Sequence, residues 1–295
     1  MIAIYRSRRA RFFLAMFIAM CVALLNAHAT AQFNFATPDF IPPEFLENRG
    51  RQIEGDTIRF CLNEEGALKD FERAVGTAVA DALLLEAEFT EVRATRPTPA
   101  YSYRFPVDQQ ELFVLLTNDC VAFPGFLLGE RNYPDWLIVS RAYLETSFVF
   151  ATTDDAITTD GLSSGAKVGT RMLSQGDLEF TAYNGARPEG EQLRRIPYPG
   201  NELLFERLAD GTLDAALAWK PGIRQAWEER DGAPALTVWN DPDFEPPTLR
   251  FAIGMRSRDE FLRASVDEAL TFLIEDGVIA DLLERFNVAG TVPRP

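Results

Sequence analysis

Apolar positions along this chain switch repeatedly between a spacing of two residues and a spacing of three to four. Each switch marks a change from strand to helix. Thr57–Cys61 reads as a strand. Phe71, Ala74, Val75, Ala78, Val79, Ala82 and Leu83 then recur at i, i+3, i+4 and i+7, which predicts one inward helix face. Glu88–Ala94 reads as a strand and Gln109–Leu116 as a short helix with Leu112, Leu115 and Leu116 inward. Cys120–Phe123 begins a further strand, and Trp136–Val139 is a short apolar segment.

Two β-branched and aromatic runs organise the rest of the chain. Thr146–Thr153 (TSFVFATT) dissolves into an Asp/Thr/Gly-rich loop, and Leu249–Met255 (LRFAIGM) returns about a hundred residues later. Between them the alternation restarts. Lys167–Thr170, Arg195–Tyr198, Asp214–Trp219 and Leu236–Trp239 read as strands. Ser174–Asp177 looks like a helix start. Asn201 is placed as the cap of a helix reaching Ala209, with Leu204, Phe205 and Leu208 inward and Asp210-Gly211 as its stop; Pro221-Gly222 starts a turn or helix. After the return strand, Phe261, Leu262, Val266, Ala269, Leu270 and Leu273 line one helix face, and a last helix covers Gly277–Phe286. Strands separated by helices imply parallel-rich α/β sheets. The expected fold class is therefore α/β, with two lobes joined by the two crossing runs as a two-stranded hinge. Residues 57–147 and 254–290 form lobe one; 148–253, with the hinge strands, form lobe two. Open α/β sheets bind ligands at such a boundary.

The N-terminal segment changes the compartment. Arg6, Arg8, Arg9 and Arg11 precede the apolar run Phe12–Leu25, and Ala29-Thr30-Ala31 is a small-x-small site, so residues 1–31 read as a cleaved secretory signal peptide. The apolar run falls short of the ~20 residues of a membrane span, so no integral membrane segment is expected in the mature chain. Residues 32–56 are rich in Phe and Pro (Phe33, Phe35, Phe40, Pro42, Pro43, Phe45) without a sustained period. They read as an extended arm that packs by its aromatic rings on the domain or on a partner.

Removing the signal also changes the charge. With 29 basic and 44 acidic residues in the whole chain and four Arg in the signal, the mature balance is 25 − 44 = −19. A surface this acidic repels nucleic acid and attracts cationic ligands or basic proteins. The one histidine, His28, leaves with the signal, which excludes imidazole bases, Ser-His and Cys-His nucleophiles and His-ligated metals. Asp154, Asp155 and Asp160 lack EF-hand spacing, and Asp241, Asp243 and Glu245 are interrupted by prolines; no metal and no cofactor is expected. Cys21 also leaves, so the mature chain keeps Cys61 and Cys120, which in an exported protein read as one structural disulfide.

Weak motifs in a consistent order carry a resemblance. Glu130-Arg131 precedes a strand and Ser140-Arg141-Ala142-Tyr143; Val168-Gly169 precedes Ser174-Gln175; and Gly211-Thr212-Leu213-Asp214-Ala215 comes after them. Over roughly Thr57–Val288 the chain resembles the family 3 extracytoplasmic solute-binding proteins. Cys61, Asp119-Cys120-Val121, the run Leu213–Pro221 with its Trp219-Lys220-Pro221, and the return strand Phe251–Arg256 resemble a subgroup found with quinoprotein (PQQ) methanol and alcohol dehydrogenases. The loop after Cys61 is shorter than that subgroup's, and the Phe/Pro arm is extra. The resemblance implies a periplasmic-binding-protein-like (type II) fold and a periplasmic, non-catalytic protein.

It also implies candidate site residues. Arg131 matches the Arg that pairs bidentately with a ligand carboxylate in amino-acid-binding relatives. Ser174 and Gln175 would offer a hydroxyl and backbone N–H groups at a helix N-terminus, which suits an anion. Trp219, beside Lys220, stands where those relatives place a carboxylate for the ligand's ammonium. Glu64, after the first strand with Asn63 and Glu65, and Phe126, after the third, lie at the cleft-facing strand ends. Such a cleft suits an apolar or anionic small molecule. Import by way of a transporter permease is one reading; docking on a periplasmic dehydrogenase or its cytochrome is another. An enzyme on the same fold, a dehydratase or glycosidase working through Glu, is the third, and no motif supports it.

Overall fold

The computed structural model divides the chain into two units, Met1–Pro42 and Pro43–Pro295. It describes residues 55–93, 108–128, 133–154, 157, 161–227, 232, 234–240 and 244–294. The segment read as a signal peptide, nearly all of the expected arm, the Thr/Pro/Tyr loop, Glu130-Arg131 and Asp155, Asp160, Asp241 and Asp243 lie outside them.

The first lobe begins with a parallel pair. Strand β1 (Thr57–Asn63) pairs with β2 (Glu86–Val92) through helix α1 (Lys69–Ala82). The buried face of α1 is Phe71, Glu72, Val75, Gly76, Val79 and Ala80, with Ala82 exposed. The predicted stripe is right at 71, 75 and 79, which are buried, and at 74, 78 and 83, which pack partly buried on the same core; the buried face extends beyond it to 72, 76 and 80. Gly76 explains the extension: Phe60 and Phe89 stack at 5.6 Å, and a Cβ on Gly76 would come within 3.1 Å of Phe89.

Helix α2 (Gln109–Asn118) is capped by the Asp108 carboxylate, which accepts from the Gln110 and Glu111 amides. It leads to β3, which runs Phe123–Leu128 and so starts three residues later than expected. Cys120–Ala122 instead run beside β1, held by Val121 N–H to Arg59 O and Cys61 N–H to Ala122 O, both at 2.9 Å. That alignment seats Cys61 opposite Cys120, Cα–Cα 5.6 Å, and the two are disulfide-bonded. The intact mass of non-reduced mature protein is expected two hydrogens below the thiol form; free thiols at both positions would contradict the pairing.

The second sheet of this lobe places β11 (Leu249–Arg256) between β3 and β4 (Leu137–Val139), with β5 (Leu144–Thr146) also on β11, all antiparallel. Helices α6 (Glu260–Glu275) and α7 (Val278–Arg285) pack with α1 over one core containing Phe60, Phe71, Val75, Tyr143, Met255 and Leu270. Phe261, expected inward, is exposed.

The second lobe is a five-stranded sheet ordered β10 (Thr237–Trp239), β6 (Phe148–Thr152), β9 (Ala215–Trp219), β7 (Lys167–Arg171) and β8 (Arg194–Tyr198). Helices α3 (Gln175–Ala186), α4 (Asn201–Ala209) and α5 (Lys220–Trp227) connect its strands. Both faces are buried, which is why β6 and β9 read as continuous apolar runs. Val149, Ala151, Ala216 and Ala218 face the α4/α5 core, whereas Phe148, Phe150 and Leu217 face a core with Val168, Phe180 and Phe244. Helix α4 is capped by Gly200, with no side-chain cap; Asn201 is its first residue, not its cap.

The crossing differs in one respect from a pair of continuous strands. The chain breaks at Ser147: β5 before it pairs with β11, Leu144 opposite Phe251 and Thr146 opposite Leu249, whereas β6 after it pairs with β9 and β10. Ser147 O accepts from the Lys220 amide at 3.0 Å, tying the crossing to the end of β9.

Candidate functional site

The crossing brings one aromatic pair together. Trp219 ends β9 opposite Phe148, and Phe251 lies on β11 opposite Leu144. Their ring centroids are 5.6 Å apart at 34°. Both rings pack against the core of the first lobe and also against the Phe148/Phe150 core of the second. The seam between the lobes is thus an indole on a phenyl ring. Gly222 sits beneath the indole, where a Cβ would approach Cε3 to 3.3 Å. The indole N–H is buried and makes no hydrogen bond among the described residues. A buried donor left unpaired costs about 1–3 kcal/mol, so an acceptor brought to this seam would gain that much.

Phe126 is placed differently from the expectation. Its side chain is fully buried, in T-shaped contact with Phe123 at 6.3 Å and Tyr133 at 6.2 Å. It fills the space above Gly254, where a Cβ would fall 2.4 Å from its ring. Phe126 is a core residue that sets the β3–β11 contact rather than a cleft wall. Glu64 stays near the surface; Arg93 bonds it at 3.2 Å and also reaches Glu65 at 3.4 Å. Exposed pairs of this kind hold about 0–1 kcal/mol and leave both carboxylates available. Arg131 lies outside the described residues.

Ser174 is the N-cap of α3 and Gln175 its first residue, as expected, and the Ser174 amide donates to Arg171 O at 3.0 Å. The Ser174 hydroxyl accepts from the Asp177 amide at 3.1 Å as an N-cap. Asp177 is buried in the first turn of α3. Its carboxylate receives the Leu173 N–H at 2.8 Å, the Thr170 hydroxyl at 2.5 Å, and a two-point contact from Arg195 at 2.6 and 2.7 Å. Burial alone would raise this carboxyl; Arg195, Thr170 and the Leu173 amide outweigh it and hold the pKa below the ordinary value. Leu173 is kept at φ +60°, a left-handed conformation costly for a leucine. The carboxylate thereby ties the turn before α3 to β7 and β8. The Ser-x-x-Asp spacing was present in the sequence, but its pairing with Arg195 depends on β7 and β8 lying side by side.

A second buried acid carries no sequence signal of its own. Glu72, in the first turn of α1, accepts the Tyr143 hydroxyl hydrogen at 3.1 Å, and the Tyr143 oxygen accepts the Gly125 amide at 3.0 Å. Gly125 is the extra residue of a bulge in β3, where the register with β11 shifts between Ala252 and Ile253, and it holds φ +93°. The bulge frees an amide, which Tyr143 links to Glu72. Desolvation raises the Glu72 carboxyl to about 7, against the lowering effect of the Tyr143 bond. Among the described residues no helix is long and apolar enough to cross a membrane, and no group of His, Cys, Asp or Glu is arranged to hold a metal ion.

No protein-family model and no curated protein matches the chain. Solved structures do. The second substrate-binding domain of GlnP from Lactococcus lactis, in an open conformation, aligns with a TM-score of 0.58 at 11% identity over 80% of this chain and 97% of its own. An ancestral cationic amino acid solute-binding protein aligns at 0.54 and 15%, over 78% and 95%. MxaJ from Methlophaga aminisulfidivorans aligns at 0.51 and 19%, over 79% of this chain and all of its own. At these identities the likeness concerns architecture. The chain has the type II periplasmic-binding-protein fold of solute-binding proteins.

Proposed function

We propose that this chain is an exported, periplasmic, non-catalytic binding protein that closes its lobes on an apolar or anionic small molecule. The observation that carries the reading is the Trp219–Phe251 seam, with its buried indole N–H that has no partner among the described residues. A ligand entering there meets two aromatic faces, a hydrogen-bond donor and the neighbouring Lys220. Its ideal partner has an apolar body and an acceptor oxygen, and no ammonium group. An α-amino acid would bury its ammonium against an indole, which costs several kcal/mol without a carboxylate partner. Arg131, Ser174, Gln175 and Glu64 are the further residues proposed around the seam.

The test is calorimetry of the mature protein against the twenty standard amino acids. No binding tighter than about millimolar, roughly −4 kcal/mol, is expected. A micromolar amino-acid ligand would overturn the reading and point to Glu64 or Glu65 as the ammonium partner.

A second reading is favoured by the Cys61–Cys120 disulfide together with the fold shared with MxaJ. In it the same lobes serve as an accessory protein docking on a periplasmic quinoprotein dehydrogenase or its cytochrome. Dehydrogenase genes beside this one would favour docking, and permease genes would favour import.

A further inference from the structure

Tyr143 holds two parts of the first lobe at once. Its hydroxyl hydrogen goes to the Glu72 carboxyl at 3.1 Å, and its oxygen takes the Gly125 amide of the β3 bulge at 3.0 Å. Its own amide donates to Phe251 O at 2.8 Å. Phe251 carries the ring that meets Trp219 at 5.6 Å, and the β3–β11 register shifts at the next residues, Ala252 and Ile253. Tyr143 is fully buried, and in a close-packed core its ring cannot shift without moving one of these partners. A continuous path of contacts therefore runs from Glu72 on α1 to the seam between the lobes.

We propose that Glu72 is a proton-operated switch of this seam: Tyr143 passes the gain or loss of its proton to the β3 bulge and to Phe251, which changes how Phe251 meets Trp219. The switch regulates the site proposed above and so rests on that reading of the seam. With its proton on, Glu72 is a neutral group that apolar surroundings tolerate, and Tyr143 stays between it and Gly125. With its proton off, a buried charge is left with one hydroxyl donor, too few for a carboxylate that has lost its water. The carboxylate then draws that hydroxyl in or admits water, and either response displaces Tyr143 from Gly125 and Phe251.

No neighbouring charge competes for this role. Helix α1 packs on β1, β2, β3, α6 and α7. Lys69 and Arg73 of α1 pair with Glu91 of β2, and Arg263 pairs with Asp267 within α6. The remaining charged residues of α1, β2, α6 and α7 are exposed, and β3 has none. Arg59 of β1 lines a separate recess with Thr117 and Arg258, and Arg141, two residues before Tyr143, bonds Thr271 of α6. Among the described residues only the Tyr143 hydroxyl acts on the Glu72 carboxyl, which burial raises to about 7. No described residue is a histidine.

Proton–nitrogen NMR of the indole groups, on the chain from Gln32 to Pro295 without added ligand, tests the switch between about pH 5 and 9. The Trp219 signal is assigned by its loss in Trp219→Phe. It is expected to shift as a single titration with its midpoint at about 7. The Trp227 indole, bonded to Pro234 O at 3.2 Å in a core of the second lobe, is expected to stay in place. Glu72→Gln keeps an acceptor for Tyr143 and is expected to abolish the shift. Tyr143→Phe keeps the ring and the amide bond to Phe251 and is expected to at least halve it. A Trp219 signal that does not titrate, that moves together with Trp227, or that titrates unchanged in either variant would overturn the proposal. Because no ligand is present, that result is separate from the amino-acid panel, which tests what the seam binds.

Discussion

Replacing Asp177 by alanine is expected to destabilise the protein by about 3 kcal/mol, measured by urea unfolding at neutral pH. The carboxylate holds four donors from three elements: the Thr170 hydroxyl at the end of β7, the Leu173 amide in the following turn, and two guanidinium nitrogens of Arg195 on β8. Cutting one partner from a buried pair costs about 3–5 kcal/mol because the other charge is left unmatched. Arg195 is 31% exposed and regains water, which places the loss toward the lower end. Asp177→Asn keeps the shape and an acceptor but removes the charge, so an intermediate loss is expected. Because the Asp177 pKa is depressed in the folded state, this stability is present above the carboxylate's unfolded value and is lost as pH falls through the folded one. A loss below 1 kcal/mol for the alanine variant would mean that the α3 terminus is held by other contacts.

Glu72 predicts the opposite pH dependence. Its carboxyl rises from 4.5 to about 7 on folding, so the native state binds the proton more tightly than the unfolded one. Stability from this group is complete below about pH 4.5 and is lost as pH rises through 7. The 2.5-unit difference corresponds to about 3 kcal/mol, most of it falling between pH 5 and 8. Glu72→Gln keeps an acceptor for the Tyr143 hydroxyl without a titrating proton. Its unfolding free energy is expected to lack the fall that the parent shows across this range. Parallel curves for the two proteins would show that Glu72 is hydrated in solution and does not carry the dependence.

The two acids show where the sequence stopped being informative. Asp177 lies in a recognisable capping pattern after Ser174, yet its Arg195 partner is eighteen residues away, and only the parallel pairing of β7 with β8 brings it within reach. Glu72 is not one of the apolar positions of the predicted stripe. Gly76 let α1 approach Phe60 and Phe89 closely, and the helix face that this buried included Glu72. No local pattern encodes that choice, because it depends on contacts between elements distant along the chain.

By itself the sequence determined the order of strands and helices and the continuous apolar runs of β6 and β9. Those features rest on side-chain periodicity and turn chemistry, which are local. It also paired the two cysteines, by elimination of the third. Only the tertiary structure decided that Phe126 fills the space above Gly254, that Asp177 meets Arg195 behind the Ser174 cap, and that Trp219 stacks on Phe251 with its N–H unpaired among the described residues. Each of these turns on register and helix approach, where a shift of one residue or one ångström exchanges a cleft position for a core position.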